Sequence, residues 1–419
     1  MRQPPMFGDG TNKVWKLKKP LYGLKQAPRQ WNKKLSSLLN EMGFQQAKND
    51  PALFVNHKVK ALIFVWVDDL IIVADSALTE SLVKAILESF DGRDLGEASW
   101  ILGLEVTRDH VCKTITMSQR RMIYDILARF GLAEATKVST PLDPKQPIDV
   151  HPHRKAVEKL QKRIESNELS LDERESLEQR ISNYLRDGEP LDAEGTTKYM
   201  QIVGAVQYLA TVSRPDISFA TGSLARFMSK PTKYLLKCAE RLLRYLKGTA
   251  EYGLVLDGSK CVSGPNITAY SDSDYQRNSH CTSGSVLCLY DQPVHWRSKR
   301  QTAIAQSSCE AEIMAMNYCA LNFKWFKMLA IKDFGIESEL PILFGDNQSA
   351  VTICRDPQTS DRTRHISDSH KKIQEFVKDD VLAVKWIPTT DMLADCLTKQ
   401  LPKPAFEKFR ADVGLRPVS

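Results

Sequence analysis

The 419-residue chain lacks any apolar run long enough to cross a bilayer, because its longest, from Ala61 to Ala74, is interrupted by Asp68 and Asp69. Its first residues, Met-Arg-Gln-Pro-Pro, contain no apolar core of the kind a signal peptide needs. Nine cysteines are scattered without one Cys-x-x-Cys pair, which argues against a zinc module or disulfide framework and for free thiols in a reducing compartment. No internal repeat is present. These absences predict an intracellular protein of the cytoplasm or nucleus that makes no use of a membrane. Hydrophobic residues at 42% and charged residues at 26% are ordinary for a globular chain, and the length suits two or three domains.

Charge is present in excess but unevenly. The net charge is +7, and residues 1–50 alone hold ten Lys/Arg against three Asp/Glu. Trp15, Tyr22 and Trp31 are interleaved with these bases. Cations beside aromatic rings suit a polyanion, with phosphates met by charge and bases by stacking. Lys25, Arg29 and Trp31 are the candidates there, and Arg241, Arg244 and Lys247, at helical spacing with Lys237, form a second basic face. Either set could equally be a solvated surface.

Four stretches are legible. Residues 1–140 combine a basic loop and helix (21–42), a hairpin around Asp68-Asp69 with two buried strands, an amphipathic helix (79–90), a strand pair (100–106 and 114–117) and a helix (120–130). Residues 141–198 open with Pro141, Pro144, Pro147 and Pro152. Val157, Leu160 and Ile164, then Leu177, Ile181 and Leu185, predict a charged helical hairpin turning at 167–170, with partial disorder as the competing expectation. Residues 199–250 read as helical, broken at Arg214-Pro215 and Lys230-Pro231, and 258–265 as a linker. Residues 266–415 alternate three strands, a long helix (308–329), a strand, a helix after Gly345-Asp346-Asn347, a helix (368–378), a strand and a last helix (391–399). That order predicts a mixed α/β sheet.

Two acidic constellations carry chemistry. Asp68 and Asp69 put adjacent like charges at one turn, a repulsion that an oxygen-ligated Mg²⁺ removes. In the last domain Asp272 and Asp274 close a strand, Glu310 and Glu312 open the long helix, Asp346 ends another strand, and Asp395 lies in the final element. Open α/β sheets place ligands at strand carboxyl ends. Carboxylates gathered there suit two divalent cations about 4 Å apart, the arrangement of in-line phosphodiester displacement.

Further motifs include Pro-Leu-Tyr-Gly-Leu-Lys-Gln-Ala-Pro-Arg-Gln-Trp (20–31), Val-Asp-Asp-Leu (67–70), Trp-Ile-Leu-Gly-Leu-Glu-Val (100–106), Ser-Arg-Pro-Asp-Ile (213–217), Arg-Tyr-Leu-Lys-Gly-Thr (244–249) and Leu-Ala-Asp-Cys-Leu-Thr-Lys (393–399). Together with the Ser-Asp-Ser-Asp, Glu-Ala-Glu and Asp-Asn-Gln-Ser-Ala segments, these resemble the C-terminal part of a copia-type LTR-retrotransposon Pol polyprotein, reverse transcriptase followed by ribonuclease H.

The resemblance implies an α+β and α/β multidomain fold. Its parts are a partial polymerase palm (1–140), a charged insertion (141–198), a helical thumb or connection (199–258) and a ribonuclease H-like five-stranded mixed sheet with helices (266–415). It implies Mg²⁺, or Mn²⁺ in its place, held by Asp68 and Asp69 in the palm and by Asp272, Glu312, Asp346 and Asp395, with Asp274 and Glu310 as second choices. It implies RNA–DNA hybrid, RNA and DNA as partners, with a complete Pol protein acting in trans as a further one. The palm's third carboxylate belongs upstream of Gln3, so the expectation is a truncated Pol whose polymerase activity is lost and whose hybrid-cutting ribonuclease remains. The rival expectation is an inactive relic or a non-catalytic nucleic-acid binder. Ile387-Pro-Thr-Thr-Asp391 lacks the histidine of cellular ribonucleases H. His365 and His370 are expected to be structural.

Overall fold

A computed structural model describes residues 2–3, 5–21, 23–146, 148, 154–165, 170–263, 266–276, 279–355 and 369–418. Tyr22, Pro147, Pro152, His365 and most of the turn at 167–170 lie outside the described residues, as do the end of the 258–265 linker and the side chain of His370. The chain is mixed α/β, with three sheets and twelve α-helices among the described residues. It divides into two units, Met1–Glu97 with Met328–Ile336, and Ala98–Lys327 with Glu337–Ser419. The 1–140 stretch is thus shared between them. No helix among the described residues is long and apolar enough to cross a membrane.

The first unit is an antiparallel meander of β1 (Gln45–Gln46), β2 (Leu53–Asn56), β3 (Ala61–Trp66) and β4 (Asp69–Val73). Strand alternation sends Ala61, Ile63 and Val65 to one face, where Leu35 and Leu39 of α1 (Ala27–Glu41) and Leu82 and Ile86 of α2 (Ser76–Ser89) cover them. Leu62 and Phe64 point to the other, against Leu329 and Phe334. The expectation of two buried strands holds for β3 only. β4 is a sheet edge and half-exposed, because among the described residues no further strand pairs with its outer side.

The second unit opens with β5 (Trp100–Ile101), β6 (Leu104–Asp109) and β7 (Thr114–Ser118), then α3 (Arg120–Arg129). The charged hairpin forms as α4 (Arg154–Glu165) and α5 (Leu171–Asp187), the latter started by a reciprocal Ser170–Glu173 cap. Three helices follow: α6 (Ala193–Val212), α7 (Ser218–Ala225) and α8 (Lys233–Gly248), each break falling at the expected prolines. They share one core with α3, built on Tyr199, Leu209, Leu242 and Leu246. At the first break Arg214, fully buried, makes a bidentate pair with Asp216 and also donates to Thr249, while Tyr245 donates to Asp216. A buried guanidinium is tolerable only when so completely paired.

The rest is β8 (Tyr252–Asp257), β9 (Ile267–Asp274), β10 (Thr282–Leu289), β11 (Gln292–Arg300), α9 (Ser308–Met328), β12 (Ile342–Gly345), α10 (Gln348–Arg355), α11 (Ser369–Lys378), β13 (Ala383–Trp386), α12 (Lys403–Asp412) and β14 (Leu415–Pro417). One sheet has the order β14-β8-β7-β6-β5; the other has β11-β10-β9-β12-β13. In the latter β9, β10 and β11 are antiparallel, whereas β12 runs parallel to β9 and β13 parallel to β12.

The helix expected over 391–399 is instead two short 3-10 turns, Thr389–Asp391 and Leu393–Leu397. The second of these lies on β10 at Gly284, where a Cβ would stand 2.8 Å from the Ala394 carbonyl and 2.9 Å from Leu397 Cβ. So close an approach leaves no room for a full α-helical turn with its side chains. β14, three residues long and carrying a proline, gave no sequence signal.

Candidate active site

The parallel register of β9 and β12 pairs Tyr270 with Phe344. Two residues further along each strand come Asp272 and Asp346, so register alone makes them neighbours at the carboxyl end of the sheet. Glu312, in the second turn of α9, reaches the same point from the covering helix. One oxygen from each of Asp272, Glu312 and Asp346 lies within 4.8 Å of the others, the one such group of three or more found among the described residues. Asp272 and Glu312 are buried, at 3% and 7% exposed, and Asp346 is half-buried.

Two of the three carboxylates, Asp272 and Asp346, are held by residues the motif reading did not assign. Thr398 donates its hydroxyl to Asp272, and Thr389 donates to Asp346 Oδ2 at 2.7 Å. The Trp386 ring N–H donates to the Asp346 carbonyl at 2.9 Å. Asp395 is not among the three that converge. Its Oδ1 lies 2.9 Å from Lys399 Nζ, while its charge still acts on Asp272. Only the position of Thr398 and Lys399 inside the Leu-Ala-Asp-Cys-Leu-Thr-Lys segment could have pointed to them. The second choices stay apart: Asp274 accepts from the Thr282 backbone N–H and from Gln276, and Glu310 accepts from the Gln306 backbone at 2.7 Å.

Burial first, then the neighbouring Asp395 charge, pushes the Asp272 carboxyl up to about 7, against the opposing pull of Lys399 and Thr398. Burial and the charges of Asp272 and Asp346 push Glu312 up to about 9. Glu312 Oε2 is buried without a hydrogen-bond partner. A buried, mutually repelling set of acids with one orphaned oxygen is what a divalent cation would relieve, so these residues fit a metal of the Mg²⁺ class.

Asp68 and Asp69 sit at the tip of the β3–β4 hairpin, both exposed, with Trp66 paired to Asp69 and Val67-Asp68 forming the turn. Val67 has φ +55°, a left-handed conformation that a β-branched residue adopts only under strain. No third carboxylate joins this pair among the described residues.

Comparison with known proteins agrees with these motifs. A family model described as reverse transcriptase (RNA-dependent DNA polymerase) matches residues 1–144. The Retrovirus-related Pol polyprotein from transposon RE1 of Arabidopsis thaliana is 33% identical over 424 aligned residues, covering 99% of this chain and 26% of that protein. The corresponding protein of transposon TNT 1-94 of Nicotiana tabacum is 30% identical, covering 99% of this chain and 29% of its own length. Along nearly its whole length this chain is similar to copia-type Pol sequence. It spans roughly a quarter of the curated relatives it matches. Among solved structures, a ribonuclease H1 isolated from compost matches at 17% identity and a TM-score of 0.27, covering 34% of this chain and 96% of that one; a score so low establishes no likeness of fold.

The basic residues of this chain divide. Lys25 and Arg29, before and at the start of α1, are exposed. Trp31 is half-buried, edge-to-face against Phe90 at 6.3 Å, and so contributes to the core of its unit. The α8 face is also engaged internally. Arg241 donates to Thr140 at 3.0 Å, Arg244 donates to the Thr136 carbonyl at 2.7 Å, and Lys247 lies 3.9 Å from Glu134. Lys237 pairs with Asp187 at 2.6 Å. These cations share a helix face as expected, and three of them also bond the segment at 134–140. Helical periodicity shows which residues line up, not what covers them.

Proposed function

We propose that this chain carries the ribonuclease H activity of a retrotransposon Pol protein, cutting the RNA strand of RNA–DNA hybrids. The observation that carries the reading is the convergence of Asp272, Glu312 and Asp346 at the carboxyl ends of β9 and β12, in a mixed sheet of five strands of the kind the Pol resemblance implies. In the same reading β1–β4 with α1 and α2 form part of a polymerase palm, and α6–α8 the thumb or connection.

Asp272, Glu312 and Asp346 would hold the metal, with Asp395 beside them. Bound Mg²⁺ supplies positive charge at the scissile phosphate and makes water a better nucleophile there. The protein's own residues do the rest. Thr398 and Thr389 orient the carboxylates of Asp272 and Asp346, and Lys399 balances Asp395 and keeps it directed at the cluster. Gln301, bonded to Ser273 and Ser283, both of the sheet, and to the Ala311 carbonyl, ties β11 and the base of α9 together so that Glu312 stays in register with Asp272. RNA would be told from DNA through its 2′-hydroxyls in a wide minor groove. With only Asp68 and Asp69 at the hairpin tip, this chain alone is not expected to extend a primer.

The test is a labelled RNA–DNA hybrid incubated with the chain and Mg²⁺, beside Asp272→Asn and Glu312→Gln. Cleavage by the parent and its loss in both variants is the expected result. Equal cleavage in all three would overturn the assignment, and extension of a primed RNA template would overturn the statement about the palm.

A further inference from the structure

The residues beside the carboxylate cluster do not all belong to the core of its sheet. Cys396, 3% exposed, is buried with Ile217, Ala220 and Leu224 in the core that unites α3 with α6–α8. Phe406, Phe409 and Val413, from α12 and just beyond it, enter that same core. Leu397, the next residue after Cys396, is buried instead with Val286 and Trp296 of the sheet. The two cores therefore meet within one short stretch of chain, Leu393–Leu397, and that stretch contains Asp395.

Three residues per turn give a 3-10 segment three sides. Ala394 and Leu397 form the side against β10, where both lie close to Gly284. Asp395 and Thr398, three apart, share the side toward the carboxylates: Thr398 donates to Asp272, and the Asp395 charge acts on it. Cys396 takes the remaining side, and the segment lies against Pro215–Ile217, α7 and α12. The first of these is fixed by the buried Arg214–Asp216 pair. Tyr245 of α8 donates to Asp216, and its ring meets Phe406 of α12 edge-on at 5.7 Å.

The joint is not completely filled. A cavity of about 20 Å³, room for about one water, is lined by Asp216, Phe219 and Ala220 of the helical core and by Cys396, Lys399 and Gln400 of the segment. Phe219 is half-buried there, and Lys399 is the ion-pair partner of Asp395. Loss of a lining side chain would enlarge a gap that already exists, leaving the segment beside it free to shift.

We propose that Phe219 of α7, outside the carboxylate sheet, is a positioning residue for the metal site, holding through Cys396 the segment that sets Asp395 and Thr398. The inference rests on the ribonuclease reading above. Because helices close the third side of the segment, the sheet by itself supports Asp395 and Thr398 from β10 alone. The carboxylate site is then shared between the sheet and the α6–α8 core, and a change in that core reaches the metal.

The experiment uses the whole chain and compares Phe219→Ala, Phe219→Leu and Leu235→Ala. Leu235 lies in the same core, ten residues before Tyr245 on α8 and so about 15 Å along the helix from the joint. Titration calorimetry reads Mg²⁺ affinity, and hydrogen exchange without metal reads protection of the 393–399 amides. Phe219→Ala is expected to weaken Mg²⁺ binding about tenfold, the low end of the loss when a ligand's outer support is removed. It should also speed exchange over 393–399 and lower kcat on a hybrid at unchanged KM. Phe219→Leu should restore most of the affinity and the protection. Leu235→Ala should change neither, although it loosens the same core. Where Asp272→Asn abolishes Mg²⁺ binding, an unchanged affinity in Phe219→Ala, or an equal loss in Leu235→Ala, would overturn the proposal, as would unchanged exchange at 393–399. If Asp272→Asn leaves Mg²⁺ binding as it was while Phe219→Ala alone speeds that exchange, the ribonuclease reading fails and the positioning of the segment stands.

Discussion

Replacing Glu312 by Gln should stabilise the metal-free protein at alkaline pH, although it removes a residue the proposed chemistry needs. Glu312 and Asp272 are held up to about 9 and about 7, from ordinary values of 4.5 and 3.8. Between those limits the folded chain binds more protons than the unfolded one, so stability falls as pH rises, to about 7 through Asp272 and to about 9 through Glu312. For Glu312 alone the loss between about pH 5 and pH 8 has an upper bound of about 4 kcal/mol. Because the two acids sense each other, one retained proton relieves both, and the observable loss is smaller, on the order of 2 kcal/mol. The assay is calorimetry of the second unit's transition at several pH values, without metal and with excess Mg²⁺. The parent should lose stability steadily from pH 5 to pH 8 and regain it with Mg²⁺, which binds the folded form. Glu312→Gln should show a shallower pH slope and a smaller response to Mg²⁺. An identical slope in parent and variant, or no response of the parent to Mg²⁺, would refute the reasoning.

Three further outcomes can be measured. Gly284→Ala should destabilise the second unit by about 1–3 kcal/mol in urea and reduce hybrid cleavage, because the new Cβ meets the Ala394 carbonyl and Thr398 Cγ2 at 2.8 Å and moves the segment that steadies Asp272; unchanged stability would show that the 393–398 segment yields freely. Asp216→Asn should cost about 3–5 kcal/mol by leaving Arg214 buried with its charge unbalanced, a loss urea denaturation would detect and a value under about 1 kcal/mol would contradict. Val67→Gly should stabilise the first unit by about 1 kcal/mol, since glycine adopts φ +55° without strain, and a loss of stability would show that the Val67 side chain contributes more than its backbone withholds.

Much of the architecture is local and was readable. Alternation in Ala61–Trp66 and the apolar-rich start of β9 at Ile267–Tyr270 needed nothing beyond their own side chains. The breaks between α6, α7 and α8 follow from prolines, which end helices wherever they fall. The identity of the acids was readable for a related reason: charge at strand and helix ends is anomalous enough to be noticed without coordinates of any neighbour. What was not legible was whatever depended on a covering segment. That Trp31 packs against Phe90 and that Arg241 and Arg244 bond Thr140 and Thr136 could not be read, because exposure cannot be deduced from periodicity. The 391–399 segment was expected to be helical because propensity is blind to a strand lying directly beneath.

By itself, then, the sequence carried the family resemblance, the order of most elements and the acids from which a metal centre could be drawn, because composition, spacing and motif are one-dimensional properties. Only the tertiary structure decided which acids meet. The parallel pairing of β9 with β12 and the lie of α9 bring Asp272, Glu312 and Asp346 within 4.8 Å, while Lys399 holds Asp395 beside them. Convergence of residues tens of positions apart is set by strand register and by the close approach that Gly284 permits, and neither is written in any one segment of the chain.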